Sequence, residues 1–599
     1  MAFRTPSPTR EGATPGSPRR SVTALPPVPP PGGAIRRLAG LLDQAGYNAT
    51  RVRAHLGVGS LFDLGGAAPP ESRAAAESGT TAEAGTLPGA VSVLVDLFLR
   101  GRRVPRAQLD EALGAGAASL LLEAGVVRGV AGGGVSGDGP AEEAEGSEGR
   151  ELAATLLLYP VGPVLIASDL TPDAPGCLGG ELDTLPPEAV YPALAGPNRS
   201  FLADLPGEPC PGDLLDLCGG TGVAALLSAA GAGVSGTVIS ADVSPRAAAF
   251  AALGGALNGV ELEAVTGDLW APVAGRRFAR ILAHPPYLPS VDGDHAFRDG
   301  GLDGERLLRR VLEGLPAHLA PGGLFHGHGL VVETEEESAE ERVRGFLKEG
   351  RAGGGEGGTG PDAGTGSSGE PRSEPDLWLF EHEAFTPADF VVRQMQAGRM
   401  EAGAADRHLA GLARAGVRRF VRGSIFVRAG GADDAGESNA PKPNGCPPLT
   451  LRRSRGTSPG VLTGSGELDE AGSAELAAFR QSTRRLARAR AGGTVGRLRC
   501  RLAPGARIQV SHGAKEGELV PEAAALVRDG ALPARVGIPV GALPLVPRFD
   551  GTRTPGQVRR ETVAAGEIPD AVSTADIRHL VEGLLDAGLL LPGDGAGAG

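Results

Sequence analysis

Three glycines, three carboxylates and a double-proline corner are spaced along this chain as one α/β half-domain would need them. Residues 213–222 read Asp-Leu-Leu-Asp-Leu-Cys-Gly-Gly-Thr-Gly, an apolar strand running into a glycine loop and on into an Ala/Leu-rich helix. Gly219, Gly220 and Gly222 let the backbone turn sharply and approach a ligand where a side chain would clash. Asp242 ends the next strand, twenty positions after Gly222, where a carboxylate can accept from both ribose hydroxyls. Asp268 follows a third strand in Gly-Asp-Leu-Trp, where it can accept from an adenine amino group with Leu269 and Trp270 beside the ring. Asp216 sits just before the loop, within reach of an ammonium group. Together these residues describe a site for a nucleoside cofactor.

His284, Pro285, Pro286 and Tyr287 form the second constellation, at the end of a fourth strand. Successive prolines fix their own φ angles and push His284 out of helical space. The corner therefore holds the His284 side chain and the Pro285 carbonyl in preset positions, and Tyr287 offers a flat face to a planar group. A lone histidine in an α/β sheet is more often structural; its place at a strand end, one half-domain after the glycine loop, favours chemistry. Gly220-Thr-Gly222-Val-Ala-Ala225 also fits the dinucleotide pattern, so NAD is the competing cofactor. Asp216 before the loop, the third acid at Asp268 and the double-proline corner favour S-adenosyl-L-methionine.

Weaker candidates surround these. His326 and His328 would share one face of a fifth strand, the spacing of a metal pair, but no third ligand is near in sequence; they read as ordinary strand residues and no metal is expected. Arg298 and Asp299 line the mouth of the site or form a loop ion pair. Asp303 reads as a helix cap. Cys218, inside the loop, reads as a small packing residue rather than a nucleophile.

The elements that must position these residues alternate as in a doubly wound, Rossmann-like α/β sheet. Strands are expected at 213–217, 237–241, 261–265, 278–283, 323–330, 376–381 and 418–427, and helices near 222–230, 245–256, 304–318, 335–348 and 386–414. A chain of 599 residues is too long for one core, and its 95 glycines and 50 prolines cluster into linkers. The expected organisation is a disordered tail at 1–33, a helical, winged-helix-like unit at 34–131, a linker at 132–150 and the α/β domain at 151–428. That domain carries a disordered insertion at 351–375. A linker at 429–447 and an α+β unit at 448–599, ending in a second winged-helix-like order, complete the chain. The net charge of -13 with no long basic block argues against a nucleic-acid coat, though a local basic groove is compatible with it. Five scattered cysteines without a Cys-x-x-Cys pair point to a reducing cytoplasm, and no apolar run is long enough to cross a bilayer.

Asp216-Leu-Cys-Gly-Gly-Thr-Gly222, Ala241-Asp-Val-Ser-Pro-Arg-Ala247, Gly267-Asp268 and His284-Pro-Pro-Tyr287 resemble the motifs of the amino-methylating class I methyltransferases. Release-factor glutamine methyltransferases and related small-domain enzymes resemble them best. Asp299-Gly-Gly-Leu-Asp-Gly304 and Pro321-Gly-Gly323 extend the likeness, which covers about residues 206–345. The resemblance implies a class I methyltransferase core that uses S-adenosyl-L-methionine and methylates a planar nitrogen of a protein, such as a glutamine amide. In that family the corner reads Asn-Pro-Pro-Tyr: the Asn oxygen and the adjacent proline carbonyl accept the two protons of an amino group, and the aromatic ring stacks on the acceptor.

This chain departs at the leading position. An Asn amide donates and accepts, whereas a neutral imidazole accepts at one nitrogen only. His284 would either accept one substrate proton or act as a general base. If it must be neutral, the rate should fall as pH drops through about 6.5, its unperturbed value. Two alternatives stand beside protein methylation. One is N-methylation of a nucleobase in RNA or DNA, with the flanking units gripping the strand. The other is a non-catalytic, cofactor-binding regulator.

Overall fold

Every candidate site residue depends on one eight-stranded sheet. The computed structural model describes residues 27–64, 89–130, 150–170, 186, 188–194, 196–231, 233–290, 299–353, 374–430, 448–455, 470–515 and 518–593. The expected tail, both linkers and the 351–375 insertion fall largely outside these residues, as does Arg298.

The sheet contains β1 (Leu214–Leu217), β2 (Val238–Asp242), β3 (Leu262–Thr266), β4 (Phe278–Ala283), β5 (Leu319–Glu333), β6 (Asp376–Phe385), β7 (Arg419–Arg428) and β8 (Thr450–Ser454). Their spatial order is β3-β2-β1-β4-β5-β7-β6-β8. Strands β3 through β5 are parallel; β7 runs antiparallel to both β5 and β6, and β8 is parallel to β6. The helices are α1 (Val223–Gly231), α2 (Pro245–Asn258), α3 (Arg306–His318), α4 (Ala339–Gly353), α5 (Pro387–Gln396), α6 (Ala402–Arg414) and α7 (Glu470–Ala491). This is the Rossmann-like sheet of class I methyltransferases, with one strand added at the edge.

Alternation of apolar residues along the strands sets the layers. On β5, Phe325 and Val331 join Leu308, Leu312 and Val343 of α3 and α4 on one face. Leu324 faces the opposite side, against Trp378, Phe380, Phe426 and the α7 residues Leu476 and Phe479. Leu330 and Val332, also on that side, pack with Phe390 and Leu412 of α5 and α6. The β5 positions between these two apolar patches are His326 and His328.

Two sequence expectations are corrected. The single helix at 386–414 is two helices, because Gly398 takes a left-handed φ of 68° and ends α5 before α6 begins. The region from 448 onward is not set apart from the sheet: β8 pairs with β6 from Thr450 to Ser454, and α7 covers the sheet face. Trp378 Nε1 donates to Thr483 Oγ1 of α7 at 3.0 Å. The remaining C-terminal residues form an antiparallel sheet of Arg507–Lys515, Glu518–Arg528 and Ala534–Ile538. Helices Pro555–Ala564 and Thr574–Asp586 follow, each opened by a capping box.

The N-terminal helices share their core with the sheet. One apolar cluster runs from Ile35, Leu38 and Leu94 through the hairpin Leu157–Val161/Val164–Ser168 to Phe250 of α2 and Leu282 of β4. Arg246, in the motif after β2, donates Nε to Asp169 at 2.8 Å beyond that hairpin.

Phe479 is fully buried, with its ring 6.1 Å from Phe380 of β6. Phe479→Ala should therefore destabilise the α/β domain itself by about 3–5 kcal/mol. Urea unfolding followed by the fluorescence of Trp378 checks this; an unmoved transition would mean that α7 contributes nothing to the domain.

Candidate active site

Register brings the two sequence constellations together. Leu217 of β1 lies directly opposite Ala283 of β4, and opposite Ala241 of β2 on its other side. The residues that follow, Cys218 and His284, therefore leave neighbouring parallel strands at the same carboxyl edge. That edge is where open α/β sheets bind ligands. Asp242 pairs with Thr266 of β3, which brings Gly267 and Asp268 to the same edge.

The loop after β1 is pinned by its neighbours. Gly219 N donates to Ala241 O at 3.1 Å, and Gly222 N to Gly219 O at 2.8 Å, where α1 starts. Asp242 accepts from Gly220 N at 2.9 Å through Oδ2 and from Ser244 N at 2.8 Å through Oδ1. Gly220 has φ of 54°, and a Cβ built there would meet no atom within 4 Å, so the loop faces open space. Among the described residues only two non-glycine residues have positive φ, Cys218 at 59° and Leu269 at 48°. Both belong to the predicted cofactor set. Such backbone strain costs about 1–3 kcal/mol per residue and gathers at functional sites.

The acids differ in what holds them. Asp216 is buried beneath the loop and accepts from Ala225 N at 3.2 Å. Burial, chiefly, raises its pKa to about 7; the Ala225 N–H opposes this and the nearby Asp242 adds to it. Asp242 is also raised, by burial first, against the pull of the Ser244 and Gly220 N–H groups. Asp268 lies on the surface and is bound by Arg310 through two contacts of 2.8 and 3.3 Å. Cys218 is half-buried, and burial with three nearby carboxylates raises its thiol far above the ordinary range.

At the corner, the His284 ring lies between Phe201, at 4.9 Å between centroids, and Tyr287, at 5.5 Å. One face of Tyr287 is thus already on His284. The Tyr287 phenol is hydrogen-bonded to Arg422, which also meets Glu383 at 3.2 Å. His284 Nε2 is buried without a hydrogen-bond partner. Burial, and secondarily the charge of Arg422, lower the His284 pKa to about 3, so the imidazole is neutral. Pro285 is buried and Pro286 half-buried behind it. Residues 299–304 close tightly over this corner: Gly300 N donates to Leu288 O at 2.9 Å. A Cβ at Gly304 would come within 2.4 Å of the Tyr287 carbonyl oxygen, which explains the glycines of Asp299-Gly-Gly-Leu-Asp-Gly304. Asp303 does not cap α3 itself; its Oδ1 accepts from Glu305 N at 3.0 Å, one residue before the helix.

Several polar residues beneath the corner were not singled out from sequence. His328 Nδ1 lies 3.2 Å from Ser424 Oγ on β7, and Ser424 Oγ lies 2.7 Å from Asp204 Oδ2. His382, in the β6 bulge, is 2.9 Å from the same Asp204 oxygen. Arg455, just past β8, is ion-paired with Asp204. Period-two spacing on β5 signals that His326 and His328 share a face, but nothing local marks Ser424, 96 residues further on, or Asp204 in a loop. Among the described residues no group of three or more His, Cys, Asp or Glu side chains is placed to hold a metal ion, and no helix is long and apolar enough to cross a membrane.

No family model matches the chain. A ribosomal protein uL3 glutamine methyltransferase of Bradyrhizobium diazoefficiens is 37% identical over 143 residues, 21% of this chain and 44% of that protein. A release factor glutamine methyltransferase of Rhodospirillum rubrum is 33% identical over 182 residues, 28% of this chain and 52% of that protein. The chain thus spans about half the length of these curated relatives. Among solved structures, a methyltransferase of Pyrococcus furiosus aligns with a TM-score of 0.22 at 16% identity, covering 40% of this chain and 84% of its own; likeness at that level adds nothing to the sheet order. The α/β domain has the Rossmann-like sheet order found in class I methyltransferases, and its sequence is similar to that of the protein glutamine methyltransferases over part of their length.

Proposed function

We propose that the protein is an S-adenosyl-L-methionine-dependent methyltransferase acting on a planar nitrogen of a protein, of the glutamine-amide kind. The observation that carries this reading is the β1–β4 register, which starts the glycine loop and the His284 corner side by side.

The donor-side residues fit the cofactor. Asp242 accepts the backbone N–H groups of Gly220, Ser244 and Val243 and still has acceptor capacity left for a ribose hydroxyl. Asp216, poised near neutrality by burial, would be drawn to its charged form by an ammonium group. Asp268 and the backbone of Leu269 would take the adenine edge. The Arg310 pair on Asp268 is half-exposed, and pairs of that kind are worth about 0–1 kcal/mol, so it yields readily. Gly219, Gly220, Gly222 and Cys218 form the floor. Bound there, the cofactor supplies an electrophilic methyl group on a sulfonium. His284 and the Pro285 carbonyl orient the acceptor nitrogen and expose its lone pair, and Tyr287 supplies its outer face. The gain is one of orientation, with His284 taking one acceptor proton at a ring nitrogen.

Calorimetry should detect donor binding, and Asp242→Asn should weaken it tenfold or more, since a hydrogen bond to a charged group contributes about 1.5–3 kcal/mol. Labelled methyl transfer into a cell extract should give label sensitive to protease and resistant to nuclease. Nuclease-sensitive label would point instead to a nucleobase acceptor, and no donor uptake would sink the reading. His284→Asn should leave donor affinity unchanged while altering transfer to the acceptor at least tenfold; an unchanged rate would show that the imidazole takes no part.

The lowered His284 pKa revises the pH expectation. With a value near 3 the ring stays neutral across the working range, so kcat should be flat from about pH 8 to about pH 5 rather than falling near 6.5. Stability should behave otherwise. His284, His326 and His328 all have lowered pKa values in the folded chain, chiefly through burial. Below about pH 6.5 the unfolded chain therefore binds more protons than the folded one. Folding stability is fully present above that pH and is lost below it, by up to about 1.4 kcal/mol per pH unit for each histidine. Urea midpoints at pH 7.5 and 5 check this; equal midpoints would mean that these rings are not buried neutral.

A further inference from the structure

Four buried ring nitrogens in this region have no hydrogen-bond partner: Nε2 of His284, Nε2 of His328 and both nitrogens of His326. Only for His328 do the neighbours dictate which nitrogen carries the proton. Ser424 has one hydroxyl proton. Asp204, with Arg455 against it, is a carboxylate and can only accept, so at 2.7 Å it receives that proton. Burial works to raise the Asp204 pKa, but the hydrogen bond from His382 and the charge of Arg455 outweigh it and hold the carboxyl below its ordinary range. The Ser424 oxygen must then accept from His328, so Nδ1 of His328 bears the hydrogen and Nε2 is a bare lone pair.

That lone pair belongs to the ring next to the acceptor corner. His284 has three ring neighbours, Phe201 at 4.9 Å, His328 at 5.3 Å edge to face and Tyr287 at 5.5 Å. Phe201 cannot take a proton, and the Tyr287 phenol is engaged by Arg422. His328 is the one neighbour among these three with a free acceptor.

We propose that His328 is a positioning residue of the acceptor corner, locked by the Asp204–Ser424 relay as the Nδ1–H tautomer so that the ring packed edge to face on His284 is held in a single orientation behind it. The inference rests on the proposed methyl transfer at His284. The acceptor nitrogen bonds to the methyl carbon as the carbon–sulfur bond breaks, with that electron pair staying on sulfur. The nitrogen gives one proton to His284, and the half-exposed ring returns it to solvent after the product leaves. An Asn at 284 could orient an amide but could not carry this proton; the relay fixes the ring against which His284 packs.

The test is a long-range proton–nitrogen spectrum of the full-length protein labelled with nitrogen-15 in histidine, at pH 7.5. His328, assigned by the signal lost in His328→Gln, should show a protonated Nδ1 and a bare Nε2. Ser424→Ala should release it to the Nε2–H form. In transfer to extract protein, Ser424→Ala and Asp204→Asn should each lower kcat about tenfold with donor affinity by calorimetry unchanged. A wild-type His328 protonated at Nε2, or an Nδ1–H form that persists in Ser424→Ala, overturns the proposal, and the wild-type spectrum decides even if a variant fails to fold. If the wild-type protein takes up no donor, the methyltransferase reading fails while the tautomer result still stands, so the two failures are told apart.

Discussion

The parallel pairing of β1 with β4 is the constraint on which the rest of the site depends. Side chains alternate with a period of two, so a one-residue slip would turn Leu215, Leu217, Ile281 and Ala283 out of the core they share, pull Leu214 and Leu282 out of the core on the other face, and drive Asp216 and Arg280 toward the wrong layer. The apolar pattern of two short strands therefore fixes, to within a residue, how Cys218 and His284 leave the sheet. Neither the glycine loop nor the proline corner has to find the other; each is delivered by a strand whose register is already set by burial.

The opposite sheet face follows a different rule. There the apolar cores under α7 and under α5 and α6 are interrupted by His326, His328, Ser424, His382 and Asp204. A buried carboxylate with a buried arginine is weak evidence of stability, because desolvation offsets most of the attraction. What such a pair gives is orientation. Asp204 is held from several directions: Arg455 arrives from the end of β8, His382 from β6 and Ser424 from β7. The segment after it is tied down as well, by Arg280 donating to the Pro206 carbonyl at 3.2 Å and by Ser473 of α7 donating to the Leu205 carbonyl at 2.7 Å. The C-terminal strand and helix thus reach the site indirectly, through the carboxylate they help to hold.

How much of this was legible in the sequence follows from the range of each interaction. The glycine loop, Asp242, Asp268 and the double-proline corner are local patterns with a mechanism in a few consecutive residues, and the strands from β1 to β7 carry enough apolar alternation to be placed. Strand β8 was not legible, because Thr-Leu-Arg-Arg-Ser has one apolar residue and its arginines are satisfied only by partners on the sheet and beyond. Arg452, for instance, meets Glu381 on β6 and Glu340 on α4. Helix α7 hid its apolar stripe among five arginines that lie between its Leu and Phe positions and its end. The relay was invisible for the same reason. Ser424 lies opposite His328 only because β7 inserts antiparallel between β5 and β6, a topological fact that no local window contains.

The replacement of an amide by an imidazole at position 284 is best understood through what surrounds it. In the proposed reaction an isolated imidazole there would titrate near neutrality and present a cation to a cationic donor, an electrostatic conflict at the point of transfer. Packing His284 between Phe201 and Tyr287, with Arg422 nearby, removes that conflict by keeping the ring uncharged. The same packing makes the ring a poor final resting place for a proton. A base that must stay neutral before reaction and yet accept a proton during it has to release that proton soon afterwards, and the half-exposed ring can hand it to solvent. The fixed negative charge of Asp204, one hydroxyl and one ring away, acts instead by orienting His328 against that ring.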